Sequence, residues 1–113
     1  MDYRAISKSM LENIMGTTLS TENVFMVRAI GDSMTGKGIY PGDWVLFSPS
    51  LDTRSGDIAI VFLDEIGLCM KEVLFQKNLL ILKSANPSYN PIVVTDQQSV
   101  RTLGTVLMKM GKV

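Results

Sequence analysis

Two residues of this sequence have types and surroundings that could support catalysis. Ser33 follows the apolar run 24–30 and lies in the segment 31–43, which is rich in glycine. A serine hydroxyl is a poor nucleophile near neutral pH unless a neighbouring base accepts its proton, and that base is usually histidine. The sequence contains no histidine. If Ser33 acts as a nucleophile, its base is therefore expected to be a lysine.

Lys71 is the lysine that best fits that role. A lysine amine acts as a base only in its neutral form, which burial among apolar groups favours. Lys71 lies in the segment 67–75, which is mostly apolar. Side chains alternate along a strand, so Cys69 shares a face with Lys71. Taken singly, Ser33 is better explained as a turn serine and Lys71 as a surface lysine whose stem lies along apolar neighbours.

The serine segment also imitates a phosphate-binding loop. Residues 31–37 match the pattern G-x-x-x-x-G-K and follow a predicted strand. The next position should be Ser or Thr to ligate magnesium and is Gly38, while Pro41 and Gly42 prevent the helix that would hold the phosphates. The sequence therefore argues against nucleotide binding.

Length and composition restrict the remaining possibilities. The 113 residues predict a single domain over 1–113, with 46% hydrophobic and 19% charged residues. Eleven basic residues balance eleven acidic ones, so direct DNA binding is not expected. One cysteine without histidine provides neither an internal disulfide nor a Cys/His zinc site, so we expect no metal, no cofactor and a reducing cytoplasm. No apolar run reaches the roughly 18 residues that span a bilayer, so no membrane association is expected.

The apolar pattern predicts a mostly β domain, curled or barrel-like, with one short helix. Apolar residues at helical spacing over 6–15, followed by Gly16, predict an amphipathic N-terminal helix. The residues 64–67 predict a hairpin turn, and 76–78 predict another. Strands are predicted at 24–30, 44–47, 58–63, 67–75, 79–83, 92–94 and 100–108.

Several short motifs occur in the order typical of one family. With them, residues 24–108 resemble the self-cleaving C-terminal domain of the LexA repressor family, which includes phage repressors and UmuD-like mutagenesis proteins and is classed as peptidase family S24. The motifs are Gly31-Asp32-Ser33-Met34, Gly38-Ile39, Gly42-Asp43, Ser55-Gly56-Asp57, Lys71 in its apolar segment, Asn86-Pro87-Ser88-Tyr89-Asn90-Pro91-Ile92 and Leu103-Gly104-Thr105-Val106.

The resemblance implies a serine–lysine dyad that cleaves a peptide bond. Ser33 would be the nucleophile and neutral Lys71 the general base, and the backbone N–H groups of Ser33 and Met34 would hold the oxyanion. Gly31, Asp32 and Cys69 would support the site. Cys69 stands two residues before Lys71, where the family often has a hydroxyl residue that orients the amine.

The resemblance also implies partners and a setting. It implies a cytoplasmic homodimer in the SOS response to DNA damage, with a role in transcription regulation or DNA repair. The substrate would be the chain's own upstream segment or that of the partner protomer. Cleavage would be triggered by a RecA filament, and a translesion polymerase is a further partner for UmuD-like members.

The bond that this family cleaves is expected to be absent. It is an Ala-Gly or Cys-Gly bond about 35 residues before the serine, which falls before residue 1, and neither pair occurs in the sequence. The sequence is therefore interpreted as the product of cleavage, or as a form that begins beyond the site and lacks the DNA-binding domain. Two alternatives stay open: a catalytically spent dimerisation or polymerase-accessory module, and a signal peptidase-like protease, which the missing membrane anchor disfavours.

Overall fold

One antiparallel sheet of eight strands organises the part of the chain that the computed structural model describes, residues 3–6, 24–49 and 52–111. The order across the sheet is β1-β2-β3-β8-β4-β5-β6-β7, so β1 and β7 are its edges and the sheet is open. The predicted mostly β class is confirmed. The strands are β1 Tyr3–Ile6, β2 Val24–Arg28, β3 Trp44–Ser48, β4 Ile58–Leu63, β5 Gly67–Gln76, β6 Leu79–Lys83, β7 Ile92–Val94 and β8 Val100–Met110.

Two tight turns connect β5, the strand of Lys71, to its neighbours β4 and β6. The turn at 64–66 joins β4 to β5, with Leu63 opposite Gly67. The turn at 77–78 joins β5 to β6, with Gln76 opposite Leu79. Both hairpins were predicted from the turn residues, and both are confirmed. β5 therefore lies between β4 and β6, away from the sheet edges.

The packing of β4 explains why all of its residues are apolar. Ala59, Val61 and Leu63 pack in one core cluster, whereas Ile60 packs in another, so the strand is covered on both faces. β5 follows the same rule: Met70 belongs to the cluster of Ile60, and Val73 to that of Ala59. Strand alternation thus places consecutive β5 side chains in two separate environments.

The N-terminal region differs from the expectation where it is described. Tyr3–Ile6 forms the edge strand β1, paired with β2 from Tyr3↔Val27 to Ile6↔Val24, which the apolar pattern did not predict. The helix predicted over 6–15 lies outside the described residues, apart from Ile6, which ends β1. No helix in the described ranges is long and apolar enough to cross a membrane.

Candidate active site

Ser33 lies in a compact turn that begins where β2 ends. Gly31 has φ +76°, a left-handed conformation that is strained for residues with a Cβ atom, and it redirects the chain. The carbonyl of Asp32 then accepts hydrogen bonds from the backbone N–H of Thr35 at 3.3 Å and from its hydroxyl at 3.1 Å. Met34 is 3% exposed and anchors the turn in the core. Ser33 itself is half-buried, so it lies close to the surface. The contacts of the turn hold it there.

The backbone around Ser33 offers free hydrogen-bond donors. The N–H groups of Thr35, Gly36 and Lys37 all have backbone acceptors. Those of Ser33 and Met34 have no acceptor among the described residues. Two adjacent free N–H groups beside a serine hydroxyl form the arrangement that can receive a developing oxyanion.

Lys71 is buried on β5, and its surroundings follow from the strand register. Its backbone is opposite Ala59 of β4. On the other side Glu72 is opposite Lys83 of β6, so the same register places Ser84, one residue past the end of β6, opposite Lys71. The Lys71 Nζ donates a hydrogen bond of 2.5 Å to the Ser84 Oγ, and the two residues are 8% and 6% exposed. Without the Ser84 hydroxyl, the amine would lose a buried partner, at a cost of about 1–3 kcal/mol.

A second group near Lys71 is the ring of Tyr89, whose centroid is 5.5 Å from the Nζ. No carboxylate contacts Lys71: the salt bridges of the described ranges join Lys37 to Glu72 and Lys109 to Asp43. Glu72, the neighbour of Lys71, is directed by strand alternation to Lys37 at 3.7 Å. Lys71 is therefore a buried amine held by a hydroxyl and an aromatic ring, and no carboxylate of the described ranges pairs with it.

The segment Ser84–Tyr89, which we call the bridging loop, contacts both Lys71 and the serine turn. The Ala85 carbonyl accepts a hydrogen bond of 2.6 Å from the Gly36 N–H. The Asn86 side-chain amide donates to the Asp32 carbonyl at 2.9 Å, and the Tyr89 hydroxyl donates to the Asp32 carboxylate at 2.6 Å. This last bond, together with the nearby charge, raises the pKa of Tyr89. The bridging loop thus fixes the serine turn relative to β5.

A cavity of about 250 Å³ opens beside Ser33. Among the side chains that line the cavity, that of Ser33 carries a hydroxyl group, one carries a thiol, and the others are apolar. Backbone atoms complete the lining. Burial raises the pKa of that thiol, Cys69, and the charge of Lys71 opposes the shift only in part, so the thiol stays protonated near neutral pH. The lining residues are Ala29, Ile30, Gly31, Ser33, Met34, Ile39, Leu68, Cys69 and Met70.

The structure brings together most of the site residues expected from the sequence. Ser33, Met34, Gly31 and Cys69 line one cavity, while Asp32 supports the serine turn from outside it. Lys71 is the residue after Met70, which belongs to the lining. The Lys71 Nζ donates its hydrogen bond to Ser84, and within the described ranges no hydrogen bond joins Lys71 to Ser33.

Sequence reasoning missed three contributors: Ser84, Asn86 and Tyr89. It used 86–92 as a motif of the family resemblance and gave these residues no role in the site. The predicted turn at 76–78 places position 71 opposite position 83, whereas the observed turn at 77–78 shifts the register by one residue and places it opposite 84.

Comparison with known proteins agrees with this geometry. The family model described as "Peptidase S24-like" matches residues 2–107. The chain belongs to the peptidase S24-like family. Because the chain belongs to this family, serine peptidase activity is the chemistry to test.

Individual S24-like relatives are LexA repressors. The chain is 33% identical over 96 residues to the LexA repressor of Anaeromyxobacter sp. (strain Fw109-5), which covers 83% of this chain and 40% of that protein. It is 34% identical over 91 residues to the one from Syntrophotalea carbinolica, covering 80% and 45%. It is 30% identical over 107 residues to the one from Magnetococcus marinus, covering 95% and 46%. The chain thus spans less than half the length of these relatives.

Proposed function

We propose that this chain is the self-cleavage and dimerisation domain of a LexA-like repressor or of a UmuD-like protein of the SOS response. Ser33 attacks the scissile carbonyl carbon, and neutral Lys71 accepts the hydroxyl proton. The N–H groups of Ser33 and Met34 hold the oxyanion of the tetrahedral intermediate. Its collapse expels the amine, which takes the proton from Lys71, and water then hydrolyses the acyl-enzyme.

The observation that carries this proposal is the environment of Lys71. A lysine paired with a carboxylate is favoured in its charged form, which cannot accept a proton. Lys71 is buried and, in the described part of the chain, has a hydroxyl and an aromatic ring as partners. Cys69, which shares the face of β5 with Lys71, lines the same cavity as Ser33. Among the described residues, no charged side chain lines that cavity, so it suits an uncharged substrate side chain next to the scissile bond.

Cleavage in trans tests the dyad. We expect the chain to cleave a synthetic peptide with an Ala-Gly bond, and a fluorophosphonate probe to label Ser33, as read by mass spectrometry. Ser33→Ala should abolish both signals. Ser88→Ala is the matched control, because Ser88 is exposed and its recorded hydrogen bond uses only its backbone N–H. A folded wild type that neither cleaves nor labels would contradict the dyad and favour a spent dimerisation module.

Dimerisation is proposed through β8, the central strand that exposes two leucines. Its register skips one residue against β4 at Leu103 and one against β3 at Leu107, so both leucines occupy β-bulges. Bulges redirect side chains, and each of these leucines is 36% exposed. They are four residues apart on the same strand, so one partner surface can contact both.

The dimer is tested by sedimentation. We expect the wild type to sediment as a dimer at about tens of micromolar, and Leu103→Lys combined with Leu107→Lys to give a monomer. Phe75→Lys is the control, because Phe75 is 50% exposed at the far end of β5. A monomeric wild type at that concentration would refute this part of the proposal.

The wider setting follows from the same proposal. The substrate is the chain's own upstream segment or that of the partner protomer, cleavage is promoted by a RecA filament in the cytoplasm, and a translesion polymerase is a partner if the parent protein is UmuD-like. Cleavage of the full-length gene product with and without activated RecA tests the trigger. Cleavage at the same rate without RecA at neutral pH would exclude it.

A further inference from the structure

Ser84 is a buried hydroxyl residue that the dyad mechanism does not use. It lies one residue past β6, where the β5–β6 register places it opposite Lys71. Its Oγ is 2.5 Å from the Lys71 Nζ, and it is 6% exposed. In the part of the chain that is described, this is the hydrogen bond that orients the amine.

A hydroxyl has two properties that suit a partner of a general base. It carries no charge, so it does not favour the ammonium form as a carboxylate would. It can also accept a hydrogen bond from the amine or donate one to it, so it can remain bonded whether or not Lys71 carries the extra proton. Because one N–H of the amine is directed to Ser84, the position of the Nζ and the direction of its lone pair are restricted.

Cys69 is the polar side chain that shares this face of β5 with Lys71. It stands two residues before Lys71 and lines the cavity of Ser33, but a protonated thiol is a weak hydrogen-bond partner. Ser84, just past the end of β6, therefore provides an orienting hydroxyl that β5 itself lacks.

We propose that Ser84 is a positioning residue for self-cleavage, which holds the Lys71 amine so that it can accept the Ser33 proton. This inference rests on the proposed function. The chain connectivity strengthens it: Ser84 is followed directly by Ala85, whose carbonyl bonds the Gly36 N–H of the serine turn at 2.6 Å. One short segment thus touches the amine and the nucleophile's turn, so the position of Lys71 is set relative to Ser33.

The experiment compares wild type, Ser84→Ala and Ser84→Thr in cleavage of the Ala-Gly peptide and in labelling of Ser33. We expect Ser84→Ala to lower kcat about 10- to 100-fold, with KM unchanged, because a misoriented base affects the chemical step and not substrate binding. The rate of probe labelling should fall in parallel. Ser84→Thr, which keeps the hydroxyl, should recover at least about a third of the wild-type kcat.

A double variant separates positioning from simple packing. Cys69→Thr combined with Ser84→Ala supplies a hydroxyl from the same face of β5, and we expect it to restore much of the kcat lost in Ser84→Ala. If Ser84→Ala does not fold, as judged by circular dichroism, Ser84→Cys carries the same prediction because it keeps a similar volume and replaces the hydroxyl with a thiol.

The outcomes are distinguishable. Wild-type kcat in folded Ser84→Ala or Ser84→Cys, with Ser33→Ala inactive, overturns the role of Ser84 and leaves the dyad intact. A raised KM with unchanged kcat also overturns it, because that result indicates a binding role. A folded wild type that neither cleaves the peptide nor reacts with the probe overturns the proposed function and this inference with it.

Discussion

Two lysines join distant segments of this domain, and they do so with different partners. The Lys109 Nζ on β8 lies 3.2 Å from an Asp43 carboxylate oxygen and 5.6 Å from the centre of the Tyr40 ring. The Lys71 Nζ on β5 lies 5.5 Å from the centre of the Tyr89 ring but bonds a hydroxyl, that of Ser84. The aromatic neighbour is common to both sites, and the carboxylate is not.

The difference separates a structural site from a candidate catalytic one. Asp43 accepts a hydrogen bond of 2.9 Å from the Tyr40 N–H, and this bond is the main cause of its lowered pKa. Lys109 lowers the pKa further, while burial opposes both effects. Asp43 and Lys109 therefore form an ion pair that joins β8 to the turn before β3. Lys71 has no such partner in the described ranges, so its site is suited to proton transfer and the Asp43 site to stability.

Replacing Lys71 gives the largest expected effect. Lys71→Arg keeps the charge but cannot supply a neutral base, so cleavage in trans should fall at least about 100-fold at every pH from mildly acidic to alkaline. Lys71→Met should also abolish cleavage, with the free energy of unfolding unchanged or slightly raised, because it removes a buried amine.

The matched control is Lys109→Arg, which preserves an ion pair with Asp43 and should cleave like the wild type. Wild-type cleavage by Lys71→Arg would remove Lys71 from the mechanism and make the two lysines equivalent.

A substitution at Gly36 should disturb the contact between the serine turn and the bridging loop. A Cβ atom at position 36 would come within 2.4 Å of the Ala85 carbonyl oxygen, so Gly36→Ala forces the two segments apart. We expect the free energy of unfolding to fall by about 1–3 kcal/mol and cleavage to fall with it. Chemical denaturation measures the first effect. Lys37→Ala, which removes only an exposed ion pair with Glu72, should change stability by less than about 1 kcal/mol.

Asp43→Asn should lower the melting temperature by a few degrees without affecting catalysis. The folded-state pKa of Asp43 is lowered, so its contribution to stability is complete above the ordinary Asp value of about 3.9 and is lost as pH falls through the lowered pKa. The difference in melting temperature between wild type and Asp43→Asn should therefore be constant above about pH 5 and narrow in acid.

Asp57→Asn is the comparison for that measurement. Asp57 accepts a hydrogen bond of 2.8 Å from the Arg54 N–H in a similar turn, without a lysine partner among the described residues. Asp57→Asn should therefore lower the melting temperature by less than Asp43→Asn does. Loss of cleavage in folded Asp43→Asn would contradict the division between a structural and a catalytic lysine.

Tyr89→Phe gives the smallest expected effect. It removes the hydrogen bond to Asp32 and keeps the ring beside Lys71, so we expect cleavage to fall about 2- to 10-fold. The folded-state pKa of Tyr89 is raised, so this contribution is present below the ordinary tyrosine value of about 10 and is lost as pH rises through the raised pKa. Rates measured up to about pH 9 should show a constant ratio of wild type to variant. Tyr40→Phe, which keeps the ring facing Lys109, should leave cleavage unchanged.

Local pattern was sufficient to predict most strands and to single out Ser33 and Lys71 as candidates. The apolar run 58–63 and the turns at 64–67 and 76–78 predict β4, β5 and β6 because buried strands and tight turns depend on neighbouring residues. Ser33 and Lys71 stand out for the same reason, one among glycines and the other in an apolar strand. β1 was missed because four residues carry too weak a pattern, and its order depends on pairing with β2.

The partners of these residues depend on pairing between segments that are far apart in sequence. Alternation along β5 determines that Lys71 and Glu72 face opposite sides, but only the β5–β6 register brings Ser84 to Lys71. The contacts of Asp32 with Asn86 and Tyr89 join positions more than fifty residues apart. Composition and periodicity describe each strand separately, whereas a hydrogen bond across the sheet exists only after register and loop path are set. The serine and the lysine are therefore identifiable as candidates from the residues alone, whereas the contacts that orient them are a property of the folded sheet.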